Sequence, residues 1–143
     1  MKEHVRTFLR LFGALAVLAG GLLHLKIWNS DYRGSALPAS AVPGTWVVKV
    51  GFPAQAAVSV GVVILLLLVR RPIIWVLALL VELGSILALV LSRQASIFGW
   101  KDAVWNSNAK QVLVVEVLAV AALTVLFILD IQRMADEDEL ATY

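Results

Sequence analysis

The chain has 143 residues, 61% of them apolar and 15% charged, where an average soluble domain carries about 25% charge; its mean hydropathy is +0.90. This is the composition of one membrane-embedded domain. The net charge of +2, with basic residues near span ends rather than in one patch, is too small to suggest a nucleic-acid partner, and none is expected; the absence of cysteine excludes disulfides, thiolate metal sites and haem attached covalently through cysteine within this chain.

Crossing a bilayer takes about 20 apolar residues. Four stretches qualify, over about residues 8–27, 50–69, 73–91 and 112–129. Backbone polar groups have no partner in lipid, so each is expected to be an α-helix. The first follows Lys2, Arg6 and Arg10. It is longer than a signal-peptide core and no small-x-small cleavage site closes it, so it reads as a retained span. The connection after it, "WNSDYRGSALPASAVPGTWVVK", carries Gly34, Pro38, Pro43 and Gly44 and reads as an ordered extramembrane loop with turns. Spans two and three are joined by little more than "RRP", a hairpin with Pro72 suited to the first helical turn. The third connection is "SRQASIFGWKDAVWNSNAK", and residues 134–143 form a polar, acidic tail. The expected fold is all-α: an integral membrane four-helix bundle, antiparallel, in a single domain over 1–143 with a long first extramembrane loop.

Lysine and arginine divide evenly between the two sides: Lys2, Arg6, Arg10, Arg70, Arg71 and Arg133 against Lys26, Arg33, Lys49, Arg93, Lys101 and Lys110. The positive-inside rule gives most weight to charges close to the spans and to the first helix, which puts both termini in the cytoplasm of a plasma-membrane protein. Trp28, Trp46, Trp100 and Trp105 then fall on the outer side and Trp75 on the inner, as interfacial anchors. Small residues four apart let helices approach in lipid. Ala16 with Gly20, Ala57 with Gly61 and Gly84 with Ala88 mark expected inward faces, with Ala119 and Ala122 a weaker version. The same faces suit partner subunits or a second copy of the chain.

The chemical signal is polar groups within the spans. A charge at mid-bilayer costs about 2.5–3.5 kcal/mol on insertion scales, so such groups face the bundle and have partners. Counted from the span ends, His24, Gln55 and Glu116 lie at similar height, with Glu82 about 10 Å deeper. The four describe an outward-opening funnel that ends at Glu82, extended by Ser59, Ser85 and Thr124. Competing readings stay open: His24 reaching headgroups, and Glu116 snorkelling to the surface. Asp130 is expected in a salt bridge with Arg10, Arg70 or Arg71. Tyr32 and Arg33 suit either a lipid headgroup or folding of the first loop onto the bundle.

His4 and His24 stand about 30 Å apart along one helix, too far to hold a haem between them. His24, Glu116 and Glu82 have metal-donor chemistry but no Glu-x-x-His spacing, and no metal site is expected. A Ser/His/Asp set, a phosphate loop and a nucleotide fingerprint are all missing from the sequence.

With "RLFGALAVLAGGLLHL" in the first span, a Pro-containing loop, "VGFPAQA" opening the second span and "VELGSILALVL" in the third, residues 6–130 resemble the DoxX-like group of small four-helix membrane proteins. The "HLxxW…YR…P…G…Q" arrangement is most similar to small actinobacterial-type members. DoxX itself is associated with a thiosulfate:quinone oxidoreductase and its relatives with membrane redox or stress complexes, but this chain has no cysteine and a long first loop, so the resemblance implies the four-helix architecture and not the reaction. The functional expectation is a non-catalytic plasma-membrane binding or accessory subunit. Its polar pocket, built on His24, Gln55, Glu82, Glu116, Tyr32 and Arg33, would take a lipidic or quinone-like molecule. One alternative is a small proton-coupled transporter with Glu82 as carrier. The other is a membrane enzyme using His24 as acid or base on a lipid headgroup.

Overall fold

The computed structural model describes residues 2–33, 44–102 and 104–140. The body of the loop, residues 34–43, lies outside the described residues, as do 141–143 at the end of the tail. Four long helices make up the fold: α1 Lys2–Ile27, α2 Thr45–Leu68, α3 Pro72–Gln94 and α4 Ser107–Leu140. Each contains a stretch long and apolar enough to cross a membrane. A π-helical turn, Trp28–Tyr32, continues α1, so Tyr32 belongs to the end of the first helix rather than to the loop. Among the described residues the sole β-type pairing is an isolated bridge between Ile97 and Trp100.

The helices do not match their apolar stretches: polar residues continue α1 at its start, α3 at its end and α4 at both ends, α2 begins early at Thr45 and stops at Leu68, and local sequence supplies the stops. Pro72 occupies the first turn of α3, where its missing N–H costs nothing. Asn106 caps α4 by accepting the Ala109 N–H at 2.9 Å. The acidic residues after Met134 extend α4 to Leu140.

One end of the molecule is tight. Arg10 of α1 donates to the carbonyls of Leu66 and Leu67 in the last turn of α2, groups that a helix end leaves unpaired. Its guanidinium also lies 5.8 Å from the Trp75 ring centroid. Trp75 of α3 donates its indole N–H to Asp130 of α4 at 2.6 Å, and Arg6 stands 3.7 Å from the same carboxylate. The expected bridge to Asp130 is thus made by Arg6, while Arg10 serves carbonyls. Trp75 is buried, not an interfacial anchor: its one polar atom is satisfied inside the protein, which lets the ring join the core. Between these contacts lies that core: Ala14, Val17, Leu66, Ile74, Ala78, Ala119, Leu123 and Leu126.

At the other end α2 and α3 diverge, and they touch each other less than the remaining neighbouring helices do. Here α1 holds α2 by a contact that Pro53 makes available. Proline has no N–H to give the carbonyl four residues back, and that carbonyl, Lys49 O, accepts the Trp28 indole N–H at 3.0 Å. Gly21 sets the spacing of the two helices; a methyl group there would meet the Ser59 Cβ at 2.7 Å. The third connection folds over this end. Gly44, at φ +81°, starts α2 so close to it that a Cβ would fall 2.1 Å from the Trp100 nitrogen.

The small-residue faces divide. Gly20, Ala119 and Ala122 are buried, but Ala57, Gly61, Gly84 and Ala88 point outward. Small residues allow approach without compelling it, and on α2 and α3 no helix takes the opportunity. The exterior is otherwise lined with large apolar side chains such as Phe8, Leu15, Leu80 and Leu87.

Gly44→Ala puts a Cβ into backbone and forces a left-handed conformation on alanine. It is expected to cost at least about 1–3 kcal/mol. Gly61→Ala, in mid-helix with open space around it, is expected to be neutral or stabilising by up to about 1 kcal/mol. Thermal unfolding of the two variants in one detergent checks the contrast, and equal stabilities would refute the packing described.

Candidate functional site

The buried polar residues gather between the helices in the half of the molecule where α2 and α3 part. His24 of α1 donates its Nδ1 proton to the Gly20 carbonyl at 2.9 Å. A carbonyl can only accept, so this bond fixes which ring nitrogen carries the proton in the neutral form. Nε2 is then turned toward α3 and α4. It lies 3.5 Å from Ser85 Oγ and 3.8 Å from Glu116 Oε1. The Ser85 hydroxyl donates to that same carboxylate oxygen at 2.5 Å. Three helices thus contribute one group each. With Nε2 also protonated, the row reads Nε2–H to Oγ–H to Oε1, unbroken from His24 to Glu116; the first step, at 3.5 Å, is long and weak.

Glu82 lies behind this row. A Cβ on Gly20 would sit 3.8 Å from Glu116 Cγ and 3.9 Å from Glu82 Oε2, so both glutamates pass alongside the bare glycine. Both are 1% exposed, and Oε2 of each has no hydrogen-bond partner among the described residues. The depth expected for Glu82 needs correction. Glu116 is nine residues into α4, counted from Ser107 (116 − 107), and Glu82 is twelve from the end of α3 at Gln94 (94 − 82). The difference of three residues is about 5 Å, so Glu82 is a neighbour of Glu116 rather than the foot of a funnel. On α3 Ser85 shares the face of Glu82, while Gly84 faces out.

Beside the cluster is a cavity of about 370 Å³, within the range of small-molecule sites. His24, Ser85 and Gln55 give it a polar floor, and Val48, Val58, Leu80 and Val81 give it apolar walls. Glu82 and Glu116 do not line it; they stand one layer behind His24 and Ser85. Phe52 presents its ring to His24 at 5.2 Å and to Tyr32 at 5.6 Å, and Tyr32 meets Trp100 at 5.8 Å. These rings form one side. The opposite side opens between α2 and α3 at Gly51, Gly84 and Ala88, where a Cβ added to either glycine meets nothing within 4 Å.

Arg33 takes no part in the cavity: its guanidinium lies over the Trp28 ring at 5.6 Å. Thr124 is exposed, and Ser59 is buried against Gly21 with its hydroxyl unpartnered. Sequence reasoning passed over Arg93 and Asp102, which line the cavity beside the third connection. They form an ion pair of 2.5 Å, and Arg93 also lies 5.7 Å from the Trp105 ring centroid. The signal available was the density of aromatic, basic and amide residues in "SRQASIFGWKDAVWN". Among the described residues no group of three or more histidine, aspartate or glutamate side chains is arranged to hold a metal ion.

No family model matches the sequence, and neither the curated proteins nor the solved structures give a match.

Ser85→Ala leaves a buried carboxylate oxygen without its donor, with an expected loss of about 1–3 kcal/mol. Thr124→Ala, on an exposed position of α4, is expected to stay within about 0.5 kcal/mol of the wild type. Equal effects in thermal unfolding would count against the Ser85–Glu116 bond.

Proposed function

We propose that the chain is an integral plasma-membrane protein, an antiparallel four-helix bundle with both termini in the cytoplasm, that binds a lipidic molecule in the cleft between α2 and α3. The observation carrying this reading is the combination in one cavity of a polar floor, apolar walls and a side opening at Gly51, Gly84 and Ala88. A side opening between two apolar helices is a route for a molecule already dissolved in the bilayer. His24 Nε2 and the Ser85 hydroxyl offer hydrogen bonds to a carbonyl or hydroxyl head, which a quinone-like molecule has. The resemblance to DoxX-like proteins agrees with this architecture. Arg6, Arg10, Arg70 and Arg133 at the tight end support a cytoplasmic placement of that end, so the cleft faces outward.

Binding is favoured over catalysis by the order of the polar groups. An activated serine passes its proton to a histidine that is held by a carboxylate. Here Ser85 donates to the carboxylate itself, and His24 is held by a backbone carbonyl. The role is then that of a binding or accessory subunit, with the outward small residues of α2 and α3 available to partner helices or to a second copy.

A second reading, proton-coupled transport, is favoured by one specific feature: the unpartnered Oε2 atoms of Glu82 and Glu116 behind the His24–Ser85 floor. Against it stands the packed core between the cavity and the tight end, which a transport cycle would have to open.

Purification from native membranes in mild detergent, followed by native mass spectrometry, is expected to find a lipidic adduct on the wild type. Gly84→Leu puts a bulky side chain at the mouth, where an added Cβ meets nothing within 4 Å, and is expected to lose the adduct while keeping wild-type stability. A wild type without adduct, or an adduct unchanged in Gly84→Leu, would overturn the cleft as its site. Proton-driven flux in vesicles that vanishes in Glu82→Gln would select the transport reading instead.

A further inference from the structure

The tight end carries a second cleft, of about 210 Å³, which the lipidic-ligand reading does not use. Four arginines line it, Arg6, Arg10, Arg70 and Arg133, with two acids, Glu3 and Asp130. Both acids are already engaged with Arg6. Glu3 pairs with it at 3.0 Å, and Asp130 stands 3.7 Å from it while accepting the Trp75 N–H. Arg10 is bonded to the carbonyls of Leu66 and Leu67, which hold its geometry, and it has no ion pair of its own with Asp130, whose carboxylate is engaged by Arg6 and Trp75. Arg70 lies close enough to Arg10 for the two charges to repel, and Arg70 has no ion pair among the described residues. A cleft lined by four arginines and two acids, with both acids engaged by Arg6, is net positive and is suited to an anion.

The rest of the lining says which kind. Pro72, Leu126 and Met134 put apolar surface beside the guanidinium groups. The cleft also lies level with the α2–α3 turn, where the apolar spans end at Leu68 and begin at Pro72. In a bilayer that is the headgroup level, and basic pockets between helices on the cytoplasmic side are suited to anionic headgroups. We propose that this cleft binds a phosphate group carried by an anionic phospholipid, with Arg10 and Arg70 on the phosphate and the acyl chains leaving along Pro72 and Met134. A free phosphate shares the charge chemistry but leaves the apolar side of the cleft unused.

The test is equilibrium binding to the purified full chain in mild detergent. The probes are short-chain phosphatidylglycerol, short-chain phosphatidylcholine and inorganic phosphate. Arg70→Gln is the informative variant, because Arg70 is exposed and its loss leaves the Arg10 contacts intact. Arg71→Gln, exposed and outside the cleft, removes the same charge one residue away. Phosphatidylglycerol is expected to bind more tightly than either other probe. Its affinity is expected to fall about fivefold in Arg70→Gln and less than about twofold in Arg71→Gln. Equal effects of the two variants, or phosphatidylcholine binding as tightly, would overturn the proposal. Inorganic phosphate binding as tightly as the lipid would overturn the lipid assignment in favour of a free anion.

Discussion

Ionisable side chains inside an apolar helix assembly need partners within the protein, because lipid offers them no hydrogen bond. The contact among His24, Ser85 and Glu116 is how this chain meets that constraint, and much of the structure follows from it. The hydrogen bond from Ser85 to Glu116 fixes the rotation of α3 against α4. The His24 ring, anchored on Gly20, fixes the face of α1 turned toward both. Both glutamates come up to the Gly20 face, where a Cβ would rest in ordinary contact with them at 3.8 and 3.9 Å. With the inward face of α3 committed to Glu82 and Ser85, Gly84 and Ala88 are turned outward, and the mouth of the cleft is made of small residues as a consequence.

The two ends divide the work. At one, Arg10 caps α2 and Trp75 reaches Asp130 across from α3 to α4, which ties the short α2–α3 turn to the rest. At the other, the Lys49 carbonyl freed by Pro53 takes the Trp28 indole. That bond secures α2 to α1, not to α3, and leaves the α2–α3 side unclosed. A molecule entering there would meet hydrogen-bonding groups held by backbone and carboxylate contacts rather than free to rearrange, which suits recognition.

Much of this was legible in the chain. Four apolar runs marked four helices, and the cost of burying polar groups in them singled out His24, Gln55, Glu82 and Glu116, three of which are buried and the fourth half-buried in the cavity floor. The helix ends were not legible from hydropathy, because polar residues continue a helix as well as apolar ones; counting from the apolar edges put Glu82 too deep. Small-residue spacing misled on α2 and α3, since spacing gives a face without saying whether a helix will cover it. The Arg93–Asp102 pair and the seat of Gly44 on Trp100 depend on how a connection folds back, which local pattern does not encode. Trp75 looks like an interfacial anchor in the sequence because its partner, Asp130, lies 55 residues away.

His24, Ser85 and Glu116 act as one connected unit. A double-mutant cycle on Ser85→Ala and Glu116→Met, read by reversible unfolding in detergent, tests it directly. Each single variant strands one buried partner and the double variant strands neither, so the combined loss is predicted to fall short of the sum by about 0.5–3 kcal/mol. Losses that add to within about 0.5 kcal/mol would mean that Ser85 and Glu116 do not depend on each other, and would contradict the account.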